Sequence, residues 1–157
     1  MKLIIQIPCF NEAESIGVTL AALPKELTGF EQVEWLIIDD GSTDGTSEAA
    51  AMQGAHHIVK HSHNLGLARA FMAGLDACIS LGADIIVNTD ADNQYCADDI
   101  PKLVQPILDS EAEIVIGARP IATIRHFSVT KRLLQKLGSS VVRLASKTDI
   151  PDAPRGF

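Results

Sequence analysis

The chain has 157 residues, 46% hydrophobic and 21% charged, with 13 Lys and Arg against 20 Asp and Glu for a net charge of −7. That length suits one domain, able to bury roughly 68–70% of its unfolded surface without a disulfide or zinc staple. The composition excludes disordered and fibrous classes. The charge is uneven: residues 1–118 carry 5 basic and 18 acidic side chains, net −13, and residues 119–157 carry 8 basic and 2 acidic, net +6. An acidic body argues against a general nucleic-acid binder, and the basic last quarter points to an anionic partner. Cys9, Cys78 and Cys96 are odd in number and widely spaced, so neither a disulfide framework nor a CxxC zinc pattern is indicated, and a reducing compartment is expected. No apolar run approaches the ~18 residues of a membrane span, and the N-terminal apolar stretch is too short for a signal peptide.

In chain order, residues 3–7 form an apolar run ending at Pro8 that predicts a buried strand. Residues 12–23 carry Ile16, Leu20 and Leu23 at helical spacing. A second strand is expected over 35–38, then a helix over about 44–53 capped by Ser42 or Thr43. His57–Lys60 reads as a third strand. Residues 65–81 read as a helix with Leu67, Phe71, Leu75, Cys78 and Ile79 on one face, stopping before Gly82. A strand over 84–88, a helix over 98–109, a fifth strand over 113–117 and a last helix over 131–147 complete the pattern. Short apolar strands alternating with helices predict βαβ units and a mainly parallel sheet in an α/β fold.

Such sheets bind ligands beyond the carboxyl ends of their strands, and the polar clusters fall there. Pro8-Cys9-Phe10-Asn11-Glu12 follows the first strand and Asp39-Asp40-Gly41-Ser42-Thr43-Asp44-Gly45 the second. Thr89-Asp90-Ala91-Asp92-Asn93-Gln94 follows the fourth, and Gly117-Ala118-Arg119 closes the fifth. Asp90 and Asp92, two residues apart on a loop leaving a buried strand, can share a hard cation such as Mg²⁺ or Mn²⁺; a solvated turn would use the same residues. Asp39 at a strand end suits a ribose hydroxyl or a base N–H, and the same stretch is rich in turn and cap formers. Neither the G-x-G-x-x-G dinucleotide fingerprint nor a P-loop is present, which disfavours NAD, FAD and P-loop chemistry.

In combination these stretches resemble the family 2 glycosyltransferases. Pro8-Cys9-Phe10-Asn11-Glu12 is similar to their opening P-x-[YF]-N-E, and Leu36–Thr46 looks like their second motif. Asn64-Leu65-Gly66-Leu67-Ala68-Arg69-Ala70 is similar to their N-x-G-x-x-x-A stretch, Asp90-Ala91-Asp92 to their D-x-D, and Pro151-Asp152-Ala153-Pro154-Arg155-Gly156-Phe157 to an acceptor-side D-x-x-S-G-F. The match is nearest to the polyprenyl- or dolichyl-phosphate sugar synthases. It implies a Rossmann-like, three-layer α/β/α GT-A fold and a metal-dependent, inverting transfer from a nucleotide-diphosphate sugar. Residues 1–118 would form the nucleotide-sugar-binding core and 119–157 the start of an acceptor-side region in the same domain. Pro8, Asn11, Glu12, Asp39, Asp40, Asp90 and Gln94 would line the donor site, with Asp39 on the base. Asp92, aided by Asp90, would bind a Mg²⁺ or Mn²⁺ ion. Arg119 would meet the diphosphate or an anionic acceptor, with Arg125 and Arg155 on the acceptor side. The acceptor would be a polyprenyl phosphate or a glycan or lipid hydroxyl. Pro154 and Arg155 depart from the small hydroxyl residue usual before the glycine, and members of the family usually run on for tens of residues, so a longer parent protein is expected.

Residues 131–147 carry apolar residues at 134, 137, 141 and 144–145, with Lys131, Arg132, Lys136, Arg143 and Lys147 elsewhere. A basic amphipathic helix of this kind packs on a core or lies on an anionic membrane surface, which sets the expected location in the cytoplasm at the inner face of a membrane. His56, His57, His61 and His63 have no Cys or acidic partner at ligand spacing, so ordinary edge residues are expected there in preference to zinc. Cys9 and Cys96 read as packing residues. Two other readings are a sugar nucleotidyltransferase, disfavoured by the lack of a Gly-rich basic loop after the first strand, and a catalytically silent nucleotide-sugar-binding module, disfavoured by retention of both Asp90 and Asp92.

Overall fold

The computed structural model describes residues 1–93 and 95–117. The expected helix over 131–147 lies outside them. The chain divides into two units, Met1–Val115 and Ile116–Phe157, and the sheet and its helices all belong to the first.

Four strands, β1 (Lys2–Cys9), β2 (Gln32–Asp39), β3 (His57–Lys60) and β4 (Ile85–Asn88), alternate with helices α1 (Ile16–Ala22), α2 (Thr46–Met52), α3 (Leu67–Ser80) and α4 (Ile100–Leu108), and a 3₁₀ turn, Ala97–Asp99, leads into α4. The sheet is wholly parallel in the order β3-β2-β1-β4. The chain builds outward from β1 through β2 to β3, then crosses back to place β4 on the other side of β1. That reversal lies between β1 and β4, where doubly wound sheets open a ligand crevice.

Both faces of the sheet are covered, which is why β1 is buried from Leu3 to Cys9 and reads as a near-continuous apolar run, broken only at Gln6, rather than an alternating one. Leu3, Ile5, Ile7, Val33, Trp35, Ile37, Ile85 and Val87 face one side, packed with Ile16 and Leu20 of α1, Ala50 of α2, and Ile100 and Val104 of α4. Ile4, Leu36 and Ile38 face the other, against Ala70 and Cys78 of α3. Each such fully buried Leu or Ile is worth roughly 1.5–3 kcal/mol.

The α3 face departs from expectation. The side packed on the sheet is the small-residue row Ala70, Gly74 and Cys78, whereas Leu67 and Ile79 are 53% and 69% exposed. The cause is close approach: a Cβ on Gly74 would lie 2.2 Å from Gln6 Oε1 and 2.8 Å from Ile38 Cδ1, so no larger residue fits between helix and sheet. Two further expectations are corrected. The N-cap of α2 is Gly45, in the left-handed region at φ 90°, because the helix begins only at Thr46, three residues later than a Ser42 cap would place it; the Ser42 hydroxyl accepts the Asn11 amide, and Asp44 Oδ1 accepts the Thr46 N–H at 3.0 Å. Residues 113–117 form no strand, and Ile114 and Ile116 are 81% and 75% exposed. β-Branched composition favours a pleated, half-buried surface but does not supply the partner strand.

Gly74→Ala should lower the unfolding free energy by about 1–3 kcal/mol in urea titration, by overpacking. Stabilisation, as expected from Ala at an open helical glycine, would contradict this packing.

Candidate active site

The carboxyl ends of all four strands lie on one edge of the sheet, and their loops are tied to each other by specific bonds. The loop after β1 docks on the loop after β2. Asn11 N–H donates to Ser42 Oγ and Glu12 N–H to Thr46 Oγ1, both at 2.9 Å, and Ala13 N–H donates to Asp44 Oδ2 at 3.0 Å. In return the Thr43 N–H donates to Asn11 Oδ1 at 3.0 Å. Asn11 holds a positive φ of 56°, a region in which Asn is among the few tolerated side chains. Its carboxamide therefore supports the neighbouring loop while the residue stays exposed. Pro8 is buried in β1, and the Glu12 carboxylate accepts the Ser15 hydroxyl at the start of α1.

Asp39 and Asp40 are buried and held by the chain's own donors. Asp39 Oδ1 accepts the Ser42 N–H at 2.7 Å, Oδ2 accepts the Ser47 hydroxyl, and Lys60 Nζ lies 3.4 Å away. Asp40 Oδ1 accepts the Leu65 N–H at 2.9 Å and lies 2.8 Å from His61 Nδ1, while Oδ2 accepts the Gly66 N–H at 2.8 Å. Burial pushes both carboxyls up. For Asp39 the Ser42 and Ser47 donors and the Lys60 charge outweigh it, and for Asp40 His61 and the Leu65 and Gly66 amides do so, leaving both below the usual carboxylate range. Contact between Asp39 and a nucleotide base would require the carboxylate to exchange one of these partners.

Gly41, next in sequence, has φ 78°, and a Cβ there would sit 2.3 Å from the His63 carbonyl carbon and 2.7 Å from the Asn64 nitrogen. The loops after β2 and β3 thus cross at a point that admits only glycine.

The acidic loop after β4 alternates. Ala91 is 4% exposed and packs into the core, whereas Asp90 is half-buried and Asp92 exposed. The buried Thr19 hydroxyl of α1 donates to the Ala91 carbonyl at 2.6 Å. Gln6 Nε2 donates to Asn88 Oδ1, and the Thr89 N–H donates to the Gln6 carbonyl, both at 3.1 Å. Thr19 and Gln6 escape motif reading because neither belongs to a polar cluster; the only signal is a polar residue at a core-facing position. Asp90 and Asp92 supply hard oxygen donors, and among the described residues no group of three or more His, Cys, Asp or Glu could by itself hold a metal ion. A carboxylate pair of this kind fits a Mg²⁺ or Mn²⁺ ion whose remaining positions are filled by phosphate oxygens and water.

Cys9 is no nucleophile: burial, then the charges of Asp39, Glu12, Asp44 and Asp40, push its thiol up to about 12. The four histidines of 56–63 have separate partners. His56 Nδ1 accepts the Trp35 N–H, His57 pairs with Glu34, His61 with Asp40, and His63 with Ser62. Gln94, Arg119, Arg125 and Arg155 lie outside the described residues.

Because their carboxyls sit low in the folded state, the stability that Asp39 and Asp40 contribute is complete above the unfolded value of about pH 4 and is lost as pH falls through the lower folded value. Asp40→Asn is therefore expected to lower stability at neutral pH and to flatten the acid limb of urea-denaturation midpoints between pH 5 and pH 2. A limb parallel to the parent's would contradict the role given to this carboxylate.

The family model described as glycosyl transferase family 2 matches residues 4–156. An undecaprenyl-phosphate mannosyltransferase of Micrococcus luteus is 27% identical, covering 100% of this chain and 65% of its own length. A UDP-N-acetylglucosamine–dolichyl-phosphate N-acetylglucosaminyltransferase of Methanococcus voltae is 33% identical over 72% of this chain and 50% of its own. The crystal structure of glucosyl-3-phosphoglycerate synthase from Mycobacterium tuberculosis, in complex with Mn²⁺, UDP and glucosyl-3-phosphoglycerate, superposes with a TM-score of 0.57 at 26% identity, covering 68% of this chain and 39% of that one. The chain thus spans between half and two thirds of the length of these curated relatives. Its parallel α/β sheet is the GT-A fold of these neighbours, and with the family match across 4–156 it makes the chain a member of glycosyltransferase family 2.

Proposed function

We propose that the loops at the carboxyl edge of the sheet bind a nucleotide-diphosphate sugar with a divalent cation, and that the sugar passes with inversion to a polyprenyl-phosphate acceptor. The observation that carries this reading is the acidic loop, with Ala91 in the core and Asp90 and Asp92 on its solvent side beside the β1–β4 reversal. The names of the Micrococcus and Methanococcus relatives, which act on undecaprenyl and dolichyl phosphates, support the acceptor class. The Mn²⁺ and UDP of the mycobacterial structure support the donor and the cation.

In this reading Asn11, Glu12 and the buried Pro8 form one wall of the donor pocket. Asp39 and Asp40 fix the opposite loops, with Asp39 reaching the base on exchange of a partner. Asp90 and Asp92 orient the diphosphate through the cation, and Gln94 adjoins the donor. When bound, the cation neutralises the charge that grows on the departing diphosphate. Arg119 supplies further positive charge to the same end. A phosphate acceptor is already an anion, so it needs positioning more than a general base; Arg125, Arg155 and the basic residues of 131–147 supply charge of the right sign. Residues 1–118 act as the donor core and 119–157 as the start of the acceptor side, at a membrane's inner face. Among the described residues no helix is long and apolar enough to cross a membrane; in this reading 131–147 makes a peripheral contact with the membrane surface.

Calorimetry with UDP, GDP and their sugars should show binding that tightens with Mn²⁺, and Asp92→Ala should remove the metal dependence while leaving metal-free nucleotide binding in place. Absence of binding under every metal condition would sink the reading, and unchanged metal dependence in the variant would overturn the assignment of Asp92.

A further inference from the structure

We propose that Thr19 is a positioning residue for the acidic loop, setting the direction of Asp92 through the Ala91 carbonyl; this rests on the donor-and-cation reading given above. Thr19 lies on α1 and is 3% exposed. Its hydroxyl has one proton and two carbonyls in reach: Ala91 O at 2.6 Å and Ser15 O, in its own helix, at 3.4 Å. The shorter bond takes the proton, so the hydroxyl bridges 72 residues of sequence to the centre of the loop in preference to closing on its own helix.

The consequence is geometric. The Ala91 carbonyl belongs to the rigid peptide plane that joins Ala91 to Asp92. Holding its oxygen on α1, with the Ala91 methyl packed in the same core as Ile16 and Leu20, fixes that plane and hence the direction in which the chain enters Asp92. The other end of the loop is fixed independently, by the Thr89 N–H on the Gln6 carbonyl and by the Gln6–Asn88 side-chain bond. Asp90 lies between the two anchors and Asp92 immediately after the second. Asn93, at φ 56°, then turns the chain away. A carboxylate pair that shares one cation with a diphosphate needs both directions held before the ligand arrives, and outer-shell bonds of this kind commonly set metal affinity. Without the hydroxyl, the buried Ala91 carbonyl loses the donor it has among the described residues. The loop then turns that oxygen toward water, and Asp92 turns with it.

The test is Mn²⁺ affinity of the 157-residue chain, read by the electron paramagnetic resonance signal of free Mn²⁺ with UDP and, separately, with GDP, against protein-free controls. Thr19→Val keeps shape and removes the hydroxyl; Thr19→Ser keeps the hydroxyl. The expected result is Mn²⁺ binding weakened about ten-fold or more in Thr19→Val and restored to within about three-fold of the parent in Thr19→Ser, with metal-free nucleotide affinity unchanged in both. Hydrogen exchange of the 89–93 amides without metal should be faster in Thr19→Val alone. Should Thr19→Val fail to fold, Thr19→Ala takes its place. Parental Mn²⁺ affinity in the variant lacking the hydroxyl overturns the proposal by itself, as does a Thr19→Ser variant as weak as Thr19→Val, since packing would then be the cause. If the parent chain holds no Mn²⁺ with either nucleotide, the donor-and-cation reading itself fails and this proposal falls with it.

Discussion

Two adjacent carboxylates at the end of β2 hold the candidate site together from opposite faces of the sheet. Neighbouring residues of a strand point to opposite sides, so Asp39 reaches the turn into α2 through Ser42 and Ser47, while Asp40 reaches the turn into α3 through Leu65 and Gly66. Each satisfies backbone or hydroxyl donors that would otherwise be left at the ends of loops. Between these two pulls the chain passes through Gly41, with the His63–Asn64 backbone so close that a Cβ would overlap it. The loop after β1 then docks on a surface already set, through Asn11, Glu12 and Ala13.

This arrangement divides the acidic residues by task. Asp39, Asp40 and Asp44 spend their oxygens on the protein's own donors and build the frame. Asp90 and Asp92 stand on a loop whose backbone is held from behind by α1 and β1. The net charge of −7 therefore reflects two different uses of carboxylates. One kind is satisfied internally by hydrogen bonds, with Lys60 beside Asp39 and His61 hydrogen-bonded to Asp40. In the proposed function the other is neutralised by a cation and the ligand it carries.

Much of the fold was legible because the signals are local. Apolar runs doubly covered by helices read directly as β1 and β2, His57–Lys60 is a strand as its pattern indicates, and turn-forming clusters after strands mark the ligand edge. What was illegible depends on distance between elements. The buried face of α3 follows small residues because Gly74 meets Gln6, a contact that periodicity of large apolar residues cannot reveal. Ser42 looks like a helix cap and serves instead as an acceptor for Asn11, 31 residues earlier. The run over 113–117 has strand composition without a paired strand among the described residues. Thr19 reads as one more residue on an amphipathic helix; only the fold brings its hydroxyl to Ala91. The motif residues were visible, and the residues that tie their loops to the fold were not.

Nucleotide binding at the carboxyl edge is tested most directly by amide chemical-shift mapping of the chain with UDP or GDP in the presence of Mg²⁺. Perturbations are expected to concentrate at 10–13, 40–46 and 89–93, the loops that follow β1, β2 and β4 at that edge. Perturbations centred on the outer face of α3 or on the turn at 107–113, or none at these loops with either nucleotide, would contradict a donor site there.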